Sequence, residues 1–339
     1  MSGRYSRQEL FAGIGPLGQA RLRDARVLVL GVGALGTALA EMMARAGVGR
    51  LTVVDRDYVE ESNLQRQSLY TEEDARLGLP KAVAAERRLR AINSEIEVAG
   101  RVADFGSEGA AGLLEDHDLV LDGTDNFETR FLLNDLCLRA CVPWVYGACV
   151  GAHGVCLAVR PHLTPCLRCV LQQAPAPGAN ETCDTAGVVA PVVHVVAGLQ
   201  AAEALKLLTG REEALLPGLV SVDLWSGAFE VTSLAGRAPW CPACTEARYE
   251  YAEAPRSAAA TLCGRDAVQI LSPAGTRLDL SSLAARLRAA GEVTANDYLV
   301  RLRVTTGKEL VVFGDGRTIV KGVRDAAEAR SVFARYVGH

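Results

Sequence analysis

The stretch "RVLVLGVGALGTALAEMMARAGVGRLTVVD", residues 26 to 55, constrains the fold more than any other. "RVLVL" is a continuous apolar run, the pattern of a strand buried on both faces. Gly31, Gly33 and Gly36 follow at the spacing G-x-G-x-x-G. Residues 34–46 then read as a helix stopped by Gly47 and Gly49, and "LTVVD" reads as the next strand. Strands joined through a helix in this way run parallel and imply a doubly wound sheet. The glycines let backbone N–H groups approach phosphate oxygens at the helix start. Asp55 lies about twenty residues on, where an acid can bond ribose hydroxyls. This pattern says only "nucleotide" and leaves NAD, FAD and ATP open. The bland alternative is tight helix–sheet packing with no ligand.

The rest of the chain extends the same architecture. "DLVLDGTDN" is a third apolar strand, ending in acids. "ETRFLLNDLCLRACV" has a helical period, and "PWVYGACV" begins another strand. "GVCLAVRP" reads as a strand leaving the parallel pattern. Residues 191–208 read as a helix, with Pro191 in its first turn and Gly210 at its stop. That helix is apolar nearly all round, so it is expected to be buried. "YAEAPRSAAA", residues 251–260, is a small-residue linker. Beyond it "AVQIL", "DYLVRLRV", "ELVVF" and "RTIV" are short strands, with "GDGR" a hairpin turn; "SSLAARLRAA" and "AAEARSVFARYV" are amphipathic helices. The expected fold class is α/β. A doubly wound, Rossmann-like, mostly parallel sheet with an antiparallel extension spans residues 1–250, and a small C-terminal α+β domain spans 261–339.

Composition sets the remaining bounds. A chain of 339 residues with 49% hydrophobic content can bury a large core. A net charge of −4 argues against a broad nucleic-acid footprint. "MSGRYSRQEL" has no apolar core of the kind a signal peptide carries. The longest apolar run contains His194, Glu203 and Lys206, marks of a buried helix rather than a membrane span. The expected setting is cytoplasmic, where thiols stay reduced. The ten cysteines then argue for metal or chemistry before disulfides.

Three further motifs carry chemistry. In "DRDYVEESNLQRQ", residues 55–67, a polar cluster of Asn63, Gln65, Arg66 and Gln67 follows the ribose acid. Arg66 can neutralise a triphosphate, and Lys81 after "GLP" is a second cation; the bland alternative is a solvated charged face. Asp122 and Asp125 end a buried strand, where such sheets place their ligands. A carboxylate there can hold Mg²⁺ beside phosphates, although Thr124 or Asp125 can equally cap a helix. Cys166/Cys169 and Cys241/Cys244 form two C-x-x-C pairs, each beside a proline. Four such thiols suit a tetrahedral zinc site stapling two distant segments. The alternatives are unrelated thiols or a redox pair, and no thioredoxin-like context surrounds either pair. Cys137, Cys141, Cys149 and Cys156 fall in helix or strand patterns and read as packing residues. Cys263 opens the small domain with no readable role.

Together "RYSRQ", "GVGALG", "DRD…SNLQRQ", "GLPKA", "DGTDNFETR", "CLRC", "TCDTAGVVAP" and "CPAC" resemble the ThiF/MoeB/HesA family, relatives of the ubiquitin-activating enzymes. The resemblance runs from "RYSRQ" to about Glu250. It implies ATP-dependent adenylation of the C-terminal glycine carboxylate of a ubiquitin-fold sulfur carrier protein, with release of pyrophosphate. A sulfur donor such as a cysteine desulfurase or rhodanese then converts the acyl-adenylate to a thiocarboxylate. The resemblance also implies the roles. Gly33, Ala34 and Gly36 lie against the nucleotide, with Ala34 standing where the family usually has Gly. Asp55 holds the ribose. Ser62, Asn63, Leu64, Gln65, Arg66 and Gln67 line the phosphates, and Lys81 binds them. Asp125 holds Mg²⁺, with Asn126 and Arg130 nearby. Arg7 resembles an arginine that family dimers insert into the partner's ATP site, which implies a homodimer. Cys183, in "TCDTAGV", resembles the position of a conjugating or sulfur-transfer cysteine.

The small domain resembles an extension seen on some relatives and lacks the cysteine-bearing, arginine-rich loop of a rhodanese. "TCDTAGV" together with this extension leans toward a ThiS-type carrier and thiamin thiazole formation. A MoaD-type carrier and molybdopterin formation is the alternative. More distant readings are an NAD- or FAD-dependent oxidoreductase and a non-catalytic binder of a ubiquitin-like protein. Neither nucleic acid nor a membrane is an expected partner.

Overall fold

The computed structural model describes residues 3–106, 110–175, 183–234, 236–254, 259–262, 267–273, 276–323 and 325–338. The chain divides into two compact units, Met1–Pro175 with Ala186–Ala254, and Ala176–Thr185 with Pro255–His339.

The first unit is built on eight strands. They are β1 (Arg26–Leu30), β2 (Arg50–Asp55), β3 (Glu97–Val102), β4 (Leu119–Asp122), β5 (Trp144–Val150), β6 (His153–Val159), β7 (Gly218–Asp223) and β8 (Ala228–Ser233). Their order is β3-β2-β1-β4-β5-β6-β7-β8. β1 to β5 pair in parallel, and β6 to β8 continue the sheet antiparallel. Alternate residues of β1 serve two cores. Val27 and Val29 meet Leu39, Met43 and Val196 on one face; Leu28 and Leu30 meet Phe131, Leu133 and Trp144 on the other. That double burial is why "RVLVL" has no polar alternation. The chain leaves β1 towards β2 on one side, while β4 lies on the other. The crevice above the C-terminal ends of β1 and β4 is therefore the switch point at which such sheets bind ligands.

Helix Ala190–Thr209 is the one helix among the described residues that is long and apolar enough to cross a membrane. It lies on the sheet instead, burying Val192, Val193, Val196, Ala197, Gln200, Ala201 and Ala204. Buried Glu203 accepts bonds from Lys206 Nζ (2.5 Å) and Leu216 N (2.9 Å). The expectation of burial all round is corrected on one stripe. His194 and Val195 are exposed, because this helix is an outer layer and only its inner face meets the sheet. Helix Gly15–Asp24 packs beside it, and a Cβ on Gly18 would stand 3.2 Å from Thr209 Cγ2.

The second unit carries β9 (Ala259–Leu262), β10 (Ala267–Ile270), β11 (Gly291–Ala295), β12 (Leu299–Val304), β13 (Glu309–Phe313) and β14 (Thr318–Lys321). They form one antiparallel sheet in the order β11-β12-β13-β14-β10-β9. Helices Leu280–Leu287 and Ala326–Tyr336 cover one face, setting Leu283, Leu287, Val332 and Phe333 against Val268, Val300, Leu302, Leu310, Val312 and Val320. Asp279 and Asp325 cap the two helices with their side chains. The "GDGR" turn joins β13 to β14, with Gly316 at φ +82° and Phe313 N donating to Arg317 O (2.9 Å).

Candidate nucleotide site and zinc site

The three glycines after β1 do different work. Gly31 turns the chain at φ +80°, and a Cβ there would meet Gly123 O at 2.8 Å. A Cβ on Gly36 would stand 1.8 Å from Gly31 O. Both are needed to seat helix Ala34–Ala46 against β1 and the loop after β4, whatever binds above. Gly33 differs. Its φ is −83°, and a Cβ there would meet nothing nearer than Gln67 Nε2 at 3.9 Å. The space in front of Gly33 is therefore open, at the N-terminus of a 13-residue helix. Such a terminus presents unpaired N–H groups and the positive end of the helix dipole to an anion. Ala34 begins the helix and does not have a positive φ, so its methyl carries no backbone cost.

Asp55 ends β2 beside this opening. Its carboxylate accepts from Val32 N and from Asp57 N, both at 2.7 Å, which fixes it against the glycine turn. Packing around Asp55 raises its carboxyl above the usual range; Lys81 opposes that shift and Asp57 adds to it. Lys81 opens helix Lys81–Ile92 with a side chain only 4% exposed, and its Nζ lies 3.3 Å from Asp57 Oδ2. Tyr70 Oη donates to Val32 O at 2.6 Å and ties the segment after "SNLQRQ" to the glycine turn.

Within that segment the side chains separate. Asn63 is buried and accepts from Glu60 N (3.2 Å), closing a short 3₁₀ turn over Glu61–Asn63. Leu64 packs against the core. Arg66 is half-buried and donates to Ser62 O (2.8 Å), while Ser62 and Gln65 are exposed. Gln67 is buried, and its Oε1 has no hydrogen-bond partner among the described residues. A buried acceptor left open beside Gly33 is what a missing ligand or its water would satisfy.

The acids after β4 also separate. Asp122 is fully buried. Its Oδ1 accepts from Thr124 N (2.9 Å) and Thr124 Oγ1 (2.7 Å), and Oδ2 faces Arg130 Nε at 3.3 Å. Burial raises its carboxyl, with Arg130 pulling the other way. Asp122 is thus a structural anchor for Arg130, whose Nη2 also donates to Thr124 O (2.6 Å). Asp125 is the exposed acid at the crevice, and one protein carboxylate plus phosphate oxygens suits Mg²⁺. Asn126 caps helix Phe127–Ala140, accepting from Thr129 N at 2.8 Å, and leans its amide toward Asp125 (3.4 Å).

Sequence reasoning passed over Arg56 and Asp104. Arg56 directly follows Asp55, and its Nη1 lies 3.1 Å from Asp104 Oδ1 beyond the end of β3. The "DRD" triplet was the available signal, but the partner lies 48 residues away.

Arg7 is not gathered at this crevice. Arg7 is exposed on helix Ser6–Glu9. The next residue, Gln8, donates to Ala46 O (2.9 Å), at the far end of the helix that starts at Ala34. Thirteen helical residues place that end about 20 Å from Gly33. Cys183 opens a four-residue helix, Cys183–Ala186, in the segment grouped with the second unit. The loop before it, residues 176–182, lies outside the described residues, as does Cys263.

Cys166, Cys169, Cys241 and Cys244 do converge. Their sulfurs all lie within 4.8 Å of one another, with Cys166–Cys241 at 3.6 Å, Cys169–Cys244 at 3.4 Å and Cys166–Cys169 at 4.0 Å. Zn–S bonds of about 2.3 Å in a tetrahedron put sulfurs about 3.8 Å apart, so this donor set fits zinc. One pair follows β6 and the other follows β8, so the metal would pin two chain segments. Ala238 N donates to Cys169 Sγ at 3.5 Å, the support a thiolate ligand needs. We predict about one zinc per chain by elemental analysis. Cys166→Ser, or removal of the metal by chelation, is expected to lower the melting temperature by at least about 10 °C. A metal-free protein of unchanged melting temperature would refute the site.

The doubly wound sheet with an open helix terminus at its switch point defines a nucleotide-binding class of protein, here with a Cys₄ cluster that fits zinc. Residues 5–243 match the model of the ThiF family, and the chain belongs to that family. It is 48% identical over 341 residues to the sulfur carrier protein ThiS adenylyltransferase of Bacillus subtilis, covering 100% of both chains. It is 42% identical to the sulfur carrier protein adenylyltransferase of Thermus thermophilus, over 71% of this chain and 90% of that one. Among solved structures, E. coli MccB with ATP superposes with a TM-score of 0.62 at 27% identity, covering 72% of this chain and 75% of that one.

Proposed function

We propose that this chain adenylates the C-terminal carboxylate of a ThiS-type, ubiquitin-fold sulfur carrier protein, using ATP in the crevice at Gly33. The observation that carries the choice of carrier is the extent of one match. Likeness to the Bacillus ThiS enzyme runs through the second unit, whereas the Thermus enzyme matches 71% of this chain. A MoaD-type carrier is the reading the experiment must separate from it.

The chemistry follows from charge. A carboxylate is already ionised at neutral pH, so attack on the α-phosphorus needs no general base. The obstacle is repulsion between that carboxylate and the triphosphate. The helix terminus at Gly33, Arg66 and Lys81 are the chain's own positive groups for offsetting it. Asp55 would orient the ribose, and Asp57 holds Lys81 in place. Asp125 would hold Mg²⁺, which when bound supplies charge neutralisation for the leaving pyrophosphate. The setting is the cytoplasm, where the zinc thiols stay reduced.

The active unit is a homodimer in this reading. Arg7 sits beside the C-terminal end of its own protomer's helix Ala34–Ala46, the end away from Gly33, so it can serve only another copy's crevice. The exposed Leu10 (60%), Phe11 (65%) and Leu17 (81%) give its neighbourhood an apolar surface suited to burial. Arg7→Ala and Asp125→Ala are each expected to be inactive, and mixing the two is expected to restore up to about a quarter of wild-type activity through one intact site per mixed dimer. No recovery on mixing would contradict shared sites.

Cys183 belongs to the step after adenylation, in which a donor of the cysteine desulfurase or rhodanese class supplies sulfur. Cys183→Ala should keep pyrophosphate exchange within about twofold of wild type while thiocarboxylate formation, followed by mass spectrometry of the carrier, falls at least about tenfold. Loss of exchange in the folded variant would place Cys183 in the adenylation site instead.

A further inference from the structure

We propose that Arg56, held by Asp104, forms the wall of the crevice against which the nucleobase stacks. This rests on the nucleotide reading of the crevice given above. Two points of the ligand are then set: the phosphates at Gly33 in the turn after β1, and the ribose at Asp55 on the tip of β2. The sheet order β3-β2-β1 places the tip of β3 next along the same line, at a spacing of about 4.8 Å per strand. The base lies on the far side of the ribose from the phosphates, and so over the tips of β2 and β3. β2 and β3 are parallel, with Asp55 opposite Val102, so the residues leaving the two strands emerge side by side. Those residues include Arg56 and Asp104, paired at 3.1 Å.

The chemistry of the pair suits this place. The Arg56 side chain is 25% exposed and that of Asp104 is 16% exposed, so the pair is largely packed and still partly open. The ion pair with Asp104 restrains the guanidinium at the edge of the crevice. A guanidinium held flat stacks on an aromatic ring through its face, which an ammonium cannot do. Burial works against its charge, but Asp104, Asp57 and Asp125 outweigh that and keep it protonated.

The test is binding of ATP, CTP and inorganic tripolyphosphate to the full-length protein by calorimetry, for wild type, Arg56→Ala and Arg56→Lys. Arg56→Ala is expected to weaken ATP about tenfold, to narrow the preference for ATP over CTP, and to leave tripolyphosphate within about twofold. Arg56→Lys keeps the charge and loses the planar face, so it should lose most of the same ATP affinity. Equal weakening of ATP and tripolyphosphate would overturn the inference, since charge or structure would then be the cause. Wild-type ATP binding by Arg56→Lys would overturn it as well. A wild-type protein that binds tripolyphosphate but not ATP would remove the nucleotide reading itself, and this inference with it.

Discussion

Asp125→Ala is expected to lower carrier-dependent ATP–pyrophosphate exchange by at least about 100-fold, with the melting temperature within about 2 °C of wild type. The expectation comes from how the two acids after β4 are placed. Asp125 is exposed at the crevice, where its Oδ1 accepts from Asn126 Nδ2 at 3.4 Å. Asp122 cannot replace it. Both its oxygens are committed, one to Thr124 and the other to Arg130, at a fully buried position. Asp122→Ala should therefore behave in the opposite way. It leaves Arg130 buried without its carboxylate, a change that costs about 3–5 kcal/mol of stability. The pair of variants separates chemistry from architecture on neighbouring residues. Exchange within a few-fold of wild type in Asp125→Ala would remove this residue from the catalytic set.

The second large effect concerns the glycines. Gly33→Ala is expected to fold normally and to weaken ATP binding by at least about tenfold, or ~1.4 kcal/mol. The added methyl has room in the protein, with its nearest neighbour at 3.9 Å, so only a ligand can object to it. Gly36→Ala is expected to fail earlier. Its methyl would fall 1.8 Å from Gly31 O, a backbone atom that cannot step aside, so about 3 kcal/mol or more of stability is lost before any ligand arrives. Thermal denaturation and ATP titration of the two variants check this. Equal ATP affinity in Gly33→Ala and wild type would mean that the phosphates do not pass that residue.

How far the sequence reveals this site depends on the range of each interaction. β1, helix Ala34–Ala46 and the tip of β2 are written locally, because a strand buried on both faces and a glycine turn leave short-range patterns. The four cysteines of the candidate zinc site are legible for the same reason: each pair is a local C-x-x-C, and only the distance between pairs is open. β3 and β8 leave no such trace. β3 alternates exposed with covered residues at a sheet edge, and β8 is exposed along its whole length. Sequence patterning also cannot tell Asp122 from Asp125. They lie three positions apart, and their surroundings differ through Arg130, which arrives from the next helix. The Arg56–Asp104 pair depends on β2 and β3 being neighbours, a tertiary fact. The outer stripe of helix Ala190–Thr209 was misread because an all-round apolar helix predicts burial, whereas this chain covers only one face of it.

The central claim is carrier adenylation, and ATP–pyrophosphate exchange measures it directly. Purified protein would be assayed with Mg-ATP and labelled pyrophosphate, with a ThiS-type carrier and a MoaD-type carrier side by side, each intact and with its C-terminal glycine deleted. The account predicts exchange with the intact ThiS-type carrier, and none when the terminal glycine is missing or the carrier is omitted. Exchange that needs no carrier, or that appears only with the MoaD-type protein, would contradict it.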